Sequence, residues 1–270
     1  MISEREIVVA GNTVALLEHG AGEPTLLLHG NPDSKEIWAP VLERLADCCH
    51  GFAPDLPGFH GSELPSGFDA SLDAQARWVD GVVGALDLRS PITLVVHDVG
   101  GPYGLAWAVT HPEKVRRLVI MNTLFHASYR WHAWARVWRT PLLGELSMLA
   151  MNYPLFAAEL RRGSRRLSAQ QIREAYERIG PTTKRAVLQW YRAMDPEKLR
   201  GWEDRLGALV RQVPTLVLWG DHDPYIDRGF AERFGEGAGA NAVHHLDVGH
   251  WVQAEAPDEV AARIRAHLAR

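Results

Sequence analysis

The feature that most constrains this chain is a rhythm that breaks once. Short apolar runs at Thr25–Leu28, Cys48–Ala53, Ile92–Val96, Leu118–Met121 and Thr215–Trp219 alternate with longer amphipathic stretches. The segment Lys35–Asp47 carries Ile37, Val41, Leu42 and Leu45 at helical spacing, and a helix opening at Ser71 puts Trp78, Val82, Val83 and Leu86 on one face. A further helix runs from about Gly101 to Val109. A continuous β-branched and leucine run such as Ile92–Val96 suits a strand buried on both faces of a parallel sheet. Strands alternating with helices imply βαβ units and a doubly wound sheet. Two N-terminal strands, Arg5–Val9 and Val14–Glu18, and a last one at Ala242–Val248 bring the expected sheet to eight strands, mostly parallel, with helices on both faces. A helix at Pro257–Leu268 closes the chain.

The rhythm fails between Asn122 and about Leu209. No strand is expected there. The stretch is helical and holds tryptophans 131, 134, 138, 190 and 202. A helical insertion in a sheet protein is a cap, and a cap shuts water out of a cleft. The expected division is a core of residues 1–122 and 210–270 and a cap of residues 123–209. The Gly- and Pro-rich Pro54–Gly67 stretch reads as loop.

Bulk properties exclude several functions. The formal charge of −4 over 270 residues and a pI near 6.3 point away from nucleic acid and from an anionic membrane surface. No apolar run approaches the roughly 18 residues of a membrane span. MISEREIVVA carries charge where a secretory leader is apolar. The only cysteines, Cys48 and Cys49, are adjacent. Adjacent thiols fit disulfide geometry poorly, so both are expected reduced and buried on a strand, in keeping with a cytoplasmic setting. Two thiols do not make a structural zinc site. The expected state is a monomer or homodimer.

The chemistry centres on Val95-Val96-His97-Asp98-Val99-Gly100-Gly101. It passes directly from strand to helix, as a nucleophile elbow does, with Asp98 where esterases place serine and Val96 where they place glycine. The bland alternative is a helix N-cap. Two further residues decide against it. His250, in Val248-Gly249-His250-Trp251, follows the last strand. Asp223, in Gly220-Asp221-His222-Asp223-Pro224, follows the strand before it, with Asp221 as its competitor. The order nucleophile, acid, histidine at the C-terminal ends of strands is that of a hydrolytic triad. His29-Gly30-Asn31-Pro32 ends an early strand, and the N–H groups of Asn31 and Val99 are the expected oxyanion hole.

Taken together, the His-Gly-X-Pro loop, His97-Asp98-Val99-Gly100-Gly101, the Gly-X-X-Asp acid and the late Gly-His resemble the aspartate-nucleophile hydrolases of the α/β-hydrolase fold, the epoxide hydrolases and haloalkane dehalogenases. The resemblance covers almost the entire chain. It implies an alkyl-enzyme ester on Asp98, water activated by His250, and Asp223 orienting the imidazole. It implies a small apolar organic substrate and water as the only partners, with no metal and no organic cofactor.

Two leaving groups compete. Asn31 resembles the halide-binding asparagine of dehalogenases, and Val119–Thr123 and Pro141–Leu146 resemble dehalogenase segments. Those enzymes carry a tryptophan directly after the nucleophile, whereas Val99 has no side-chain donor. Leu188–Met194 resembles the cap segment that carries a proton-donating tyrosine in epoxide hydrolases. That makes Tyr191 the expected acid, with Tyr153 as its partner and Tyr129 in reserve. On this balance an epoxide is placed ahead of a haloalkane, and a non-catalytic ligand-binding relative comes third. Trp131, Trp134 and Trp138 share a helical face that either packs on the core or lines the pocket, and Trp131 is a candidate for substrate contact. The basic run Arg161, Arg162, Arg165 and Arg166 reads as a solvated helix end.

Overall fold

The computed structural model describes residues 1–236 and 242–269. Its strands are β1 (Ser3–Val9), β2 (Asn12–His19), β3 (Glu23–Leu28), β4 (Cys49–Pro54), β5 (Ile92–Asp98), β6 (Val115–Thr123), β7 (Thr215–Gly220) and β8 (Val243–Leu246). They form one sheet in the order β1-β2-β4-β3-β5-β6-β7-β8. The two contacts of β2 are antiparallel, and every pairing from β4 to β8 is parallel. The eight expected strands are all present, most of them a residue or more longer than their apolar runs.

Alternation explains why the central strands are apolar throughout. Leu26, Leu28, Leu94, Val96, Leu118 and Ile120 enter one core layer. Leu27, Val95, Val119 and Met121 enter the layer on the opposite face. The first layer is covered by α2 (Leu72–Ala85) and α3 (Gly100–Thr110), which pack on each other. The second is covered by α1 (Ala39–Leu45), the short α11 (Val252–Glu255) and α12 (Pro257–Leu268). Ser71 starts α2 by accepting the Ala74 N–H at 3.2 Å, a normal N-cap arrangement. The expected helix at Lys35–Asp47 opens instead as a 3₁₀ turn, Lys35–Trp38. Its α-helical part waits for Ala39 because Pro40 lacks an N–H and fits only the first turn.

Between β6 and β7 lie α4 (Ala133–Arg139), α5 (Leu143–Ala150), α6 (Tyr153–Gly163), α7 (Ala169–Glu177), α8 (Pro181–Ala193) and α9 (Trp202–Val210). After β7 comes α10 (Gly229–Gly235). Helix α4 packs on α5 and α8, α6 packs on α7, and α9 leans on α3 of the core. Both cysteines are free thiols, with Cys49 buried on β4 and Cys48 half-buried just before it. Among the described residues no helix is long and apolar enough to cross a membrane.

The loop after β3 is anchored by an unusual group. Lys35 is fully buried, and its Nζ lies 3.0 Å from the buried Asp55 carboxylate, 2.9 Å from Glu4 and 3.0 Å from Glu36. Its backbone N–H also donates to Asp55 at 2.7 Å. Removing one partner of a buried pair strands the other charge, at a cost of roughly 3–5 kcal/mol. Lys35→Met is therefore expected to lower unfolding stability by about that amount, read as an earlier urea midpoint at unchanged slope.

Candidate active site

Asp98 ends β5 in the left-handed region, with φ of 48°. That conformation costs a non-glycine residue roughly 1–2 kcal/mol. The surroundings hold it there. The Thr123 hydroxyl donates to the Asp98 carbonyl at 2.5 Å. A Cβ on Gly101 would stand 1.8 Å from that same hydroxyl, and one on Gly30 would stand 2.4 Å from the Asp98 Cβ. Glycine at both positions lets three chain segments close around the bend, and the carboxylate is left at the sheet's C-terminal edge.

The two carboxylate oxygens have different partners. Oδ1 accepts the Asn31 N–H at 2.7 Å, while Oδ2 lies 3.5 Å from His250 Nε2. His250 Nδ1 is 2.7 Å from Asp223 Oδ2. Asp223 Oδ1 accepts the N–H groups of Tyr225 at 2.7 Å and Ile226 at 3.1 Å. The Asn122 amide donates to Asp223 Oδ2 at 2.8 Å. Asp221 is engaged elsewhere, 2.6 Å from His245, so the choice between the two acids falls to Asp223. His97 Nε2 donates to the His250 carbonyl at 2.9 Å, and the Gln253 amide meets His97 Nδ1 at 3.1 Å. The His250 N–H donates to the Gly163 carbonyl at 2.8 Å. The histidine loop is thus held from the sheet and from α6 together.

Charge is distributed accordingly. Burial alone would raise the Asp98 carboxyl, but the His250 imidazole beside it outweighs burial and holds it at about 2. Burial alone would lower His250, but Asp223 and Asp98 outweigh it and raise the imidazole to about 10. Burial, aided by the charge on His250, drops His97 to about 3, so it stays neutral. Burial and the nearby Asp98 charge push Asp33 up to about 7, while Asp33 accepts the Trp251 indole N–H at 3.0 Å.

Asp98 and His250 open into a pocket whose far wall comes from α4, α5, α6 and α8 and whose lining is chiefly apolar. Tyr191 of α8 projects into it. Burial first, then the Asp98 charge, raises its phenol well above the ordinary value, so the hydroxyl keeps its proton beside the Asn31 side chain. Among the described residues no group of three or more His, Cys, Asp or Glu side chains is arranged to hold a metal.

A family model described as alpha/beta hydrolase fold matches residues 23–257. The chain belongs to this family. It is 30% identical to a cis-3-alkyl-4-alkyloxetan-2-one decarboxylase of Shewanella oneidensis, over 94% of this chain and 85% of the relative. It is 29% identical to haloalkane dehalogenase 2 of Mycobacterium tuberculosis, over 92% of this chain and 88% of the relative. The crystal structure of haloalkane dehalogenase DbeA from Bradyrhizobium elkani superposes with a TM-score of 0.83 at 26% identity, covering 100% of this chain and 98% of that one. Relatives bearing the dehalogenase name match the group that the motifs resemble.

In this α/β-hydrolase the expected residues Asp98, His250, Asp223, Asn31, Tyr191 and Trp131 converge. Val99 follows Asp98 directly, buried at the head of α3. Tyr153 does not join them and is corrected. It opens α6 facing α7, with its ring 5.6 Å from Tyr176 and the Arg173 guanidinium 4.2 Å above it, whereas α6 presents Leu155, Phe156, Glu159 and Leu160 to the pocket. The reserve, Tyr129, does line the pocket, and its hydroxyl donates to the Tyr225 carbonyl at 3.3 Å. Trp131, Trp134 and Trp138 all line it too, although Trp131 precedes α4. Trp131 packs 5.3 Å from the Tyr191 ring.

Sequence reasoning passed over Asn122, Tyr225 and His132. Asn122 had a signal, because it sits at the C-terminal end of β6 beside the acid's strand. Tyr225 packs 5.1 Å from the His250 ring, two residues beyond the acid. His132 lines the pocket between Tyr225, at 5.2 Å, and Tyr191, at 6.1 Å. Its Nδ1 accepts the Ala135 N–H at 3.4 Å to cap α4, which leaves Nε2 as the N–H. Burial lowers this imidazole to about 4, so it is neutral.

The raised pKa of His250 has a stability consequence. The stabilisation is complete below the ordinary histidine value and is lost as pH rises through the folded value near 10. The stability margin of the native chain over His250→Gln is expected to be large at about pH 6 and to shrink by about pH 10.5, as measured by urea unfolding at both pH values.

Proposed function

We propose that this α/β-hydrolase removes halide from an apolar organohalogen by way of an ester on Asp98. The observation that carries the reading is the split carboxylate. Oδ1 is fixed by the Asn31 N–H and Oδ2 lies free of backbone donors, facing the pocket beside His250. Oδ2 attacks the carbon, the carbon–halogen bond breaks, and halide leaves with the bonding pair. Once the Asp98 charge is lost in the ester, the His250 imidazolium gives its proton to solvent, and this proton balances the released halide. The neutral imidazole then takes a proton from water as the water oxygen adds to the ester carbonyl. The Asn31 N–H stabilises the oxyanion on Oδ1, and the alcohol departs with the proton from His250. Water and an apolar substrate are the only reactants. Residues 123–209 serve as the cap over a core of 1–122 and 210–270, with α9 the segment nearest the core.

Halide needs N–H or O–H donors, and Val99 supplies none from its side chain. Donors on residues lining the pocket include the Asn31 amide, the Tyr191 hydroxyl, the His132 Nε2–H and the Trp131 indole N–H, which is buried without a hydrogen-bond partner among the described residues. We assign the leaving group to them. The relatives named as dehalogenases support a haloalkane over the epoxide placed first from sequence. Opening of a strained oxygen ring remains as a second reading, on one observation. Tyr191 is a buried phenol that keeps its proton, and an alkoxide, unlike a halide, leaves only with one. A relative named for an oxetan-2-one, itself a strained oxygen ring, lends this reading support.

Bromide release from 1-bromoalkanes is the direct test, with diol formation from styrene oxide as the rival assay. Asp98→Ala is expected to abolish turnover. His250→Gln is expected to stop at the ester, visible as alkyl mass on the Asp98 peptide; an intact but unmodified peptide would sink the mechanism. Tyr191→Phe separates the readings, since it should slow epoxide opening by about 100-fold and bromide release far less, because the other halide donors remain.

A further inference from the structure

The outer face of the cap carries two features that the pocket does not use. Seven large hydrophobic side chains are strongly exposed among the described residues, and five of them are Leu142, Leu143, Leu146, Leu149 and Leu155, at 54–81% exposure. They sit on α5, its lead-in residue and the start of α6. Scattered exposed leucines need no explanation, but a cluster of this kind marks a surface that meets something apolar. The patch is also continuous with the pocket. Ala150 and Leu155 are exposed and line the pocket as well, so its mouth opens beside the leucines.

The second feature is charge. Residues 130–192 contain twelve Lys and Arg against four Asp and Glu, a local charge of +8 in a chain of −4, which leaves −12 for the rest. The only acid on α5, Glu145, is neutralised by Arg192 at 2.7 Å. On the helices that flank α5, Arg136, Lys184 and Arg185 donate to carbonyl or hydroxyl oxygens rather than to carboxylates. Lys184 reaches α5 itself, 2.7 Å from the Met148 carbonyl.

We propose that the cap docks the protein on an anionic lipid surface, with the leucines of α5 entering the headgroup boundary and the surrounding cations meeting lipid phosphates. The leucines come from α5 and its neighbours and the cations from flanking helices, so that hydrophobic burial and attraction to anionic headgroups can act together across the surface. Charge complementarity selects lipid over a second copy of this chain, because a two-fold interface through the patch would bring two basic stretches of like sign together. The pocket mouth would then open at the bilayer, where an apolar substrate concentrates. The whole-chain charge, read from sequence as pointing away from such a surface, averages a basic stretch and an acidic remainder.

Flotation with phosphatidylcholine vesicles, with and without about 30% phosphatidylglycerol, tests this on the full chain. Binding is expected with the anionic vesicles, at least tenfold weaker without the anionic lipid, and weakened by salt. The double variant Leu146→Glu/Leu149→Glu, at exposed positions outside the pocket lining, should lose binding by tenfold or more while keeping its melting temperature and its turnover of a water-soluble substrate. The proposal fails if neither vesicle binds the protein, or if the double variant binds as well as the parent. It fails equally if sedimentation velocity without lipid shows a dimer that the double variant dissociates, which would give the patch to a second copy.

Discussion

Everything at the candidate site depends on one strained residue being held in place. Asp98 adopts a left-handed backbone at the point where a strand buried along its whole length turns into α3. An aspartate on a relaxed loop would turn its charge to water. Here the Thr123 hydroxyl grips the Asp98 carbonyl, while Gly30 and Gly101 permit the neighbouring segments to approach within contact distance. One hydrogen bond and the packing of two strand ends offset the strain. The carboxylate is displayed toward the cap because the backbone behind it has nowhere else to go.

The electrostatics follow from that placement. Two carboxylates flank one imidazole in a buried space, so His250 rests as a cation between Asp98 and Asp223. An isolated imidazolium buried this deeply would lose its proton. The arrangement gives the proposed reaction an internal order. While Asp98 is charged, His250 is protonated and cannot act as a base. Once Asp98 becomes a neutral ester, one of the two charges that hold the proton is gone. The base is released by the first step and is available for the second. Asp223, fixed by two backbone N–H groups and by Asn122, stays in position throughout.

What was legible in the sequence is what lies close to a strand end. Asp98, His250 and Asp223 each follow an apolar run, and the parallel sheet brings such ends to one edge whatever the loops do. The doubtful positions are those where sequence proximity carries no geometry. Asp221 and Asp223 differ by two residues, and His245 on β8, which captures Asp221, separates them. The sequence reading puts Tyr153 ahead of Tyr129 as the second cap tyrosine, but helical period fixes a face and not what the face meets. Packing of α6 on α7 carries Tyr153 away, and the chain entering α4 brings Tyr129 in. His132 was invisible for the same reason. Its role as an N-cap turns one ring nitrogen to the helix and leaves the other for the pocket, and that depends on where α4 begins.

The cap also shows why a single amphipathic reading fails for a thin wall. An ordinary surface helix has one apolar stripe, because one side meets protein and the other water. Helix α5 is apolar on both sides. Met148 is buried toward the pocket, and Leu146 and Leu149 face outward. Its eight residues are too few to be stabilised by helical propensity alone, so packing on α4 and α8 and the ion pair between Glu145 and Arg192 must hold it. Outward leucines contribute nothing to that packing and would cost solubility on a wall facing only water. Their concentration on the helix that borders the pocket mouth, within the basic part of an acidic chain, makes physical sense where the wall separates an apolar pocket from an apolar and anionic exterior.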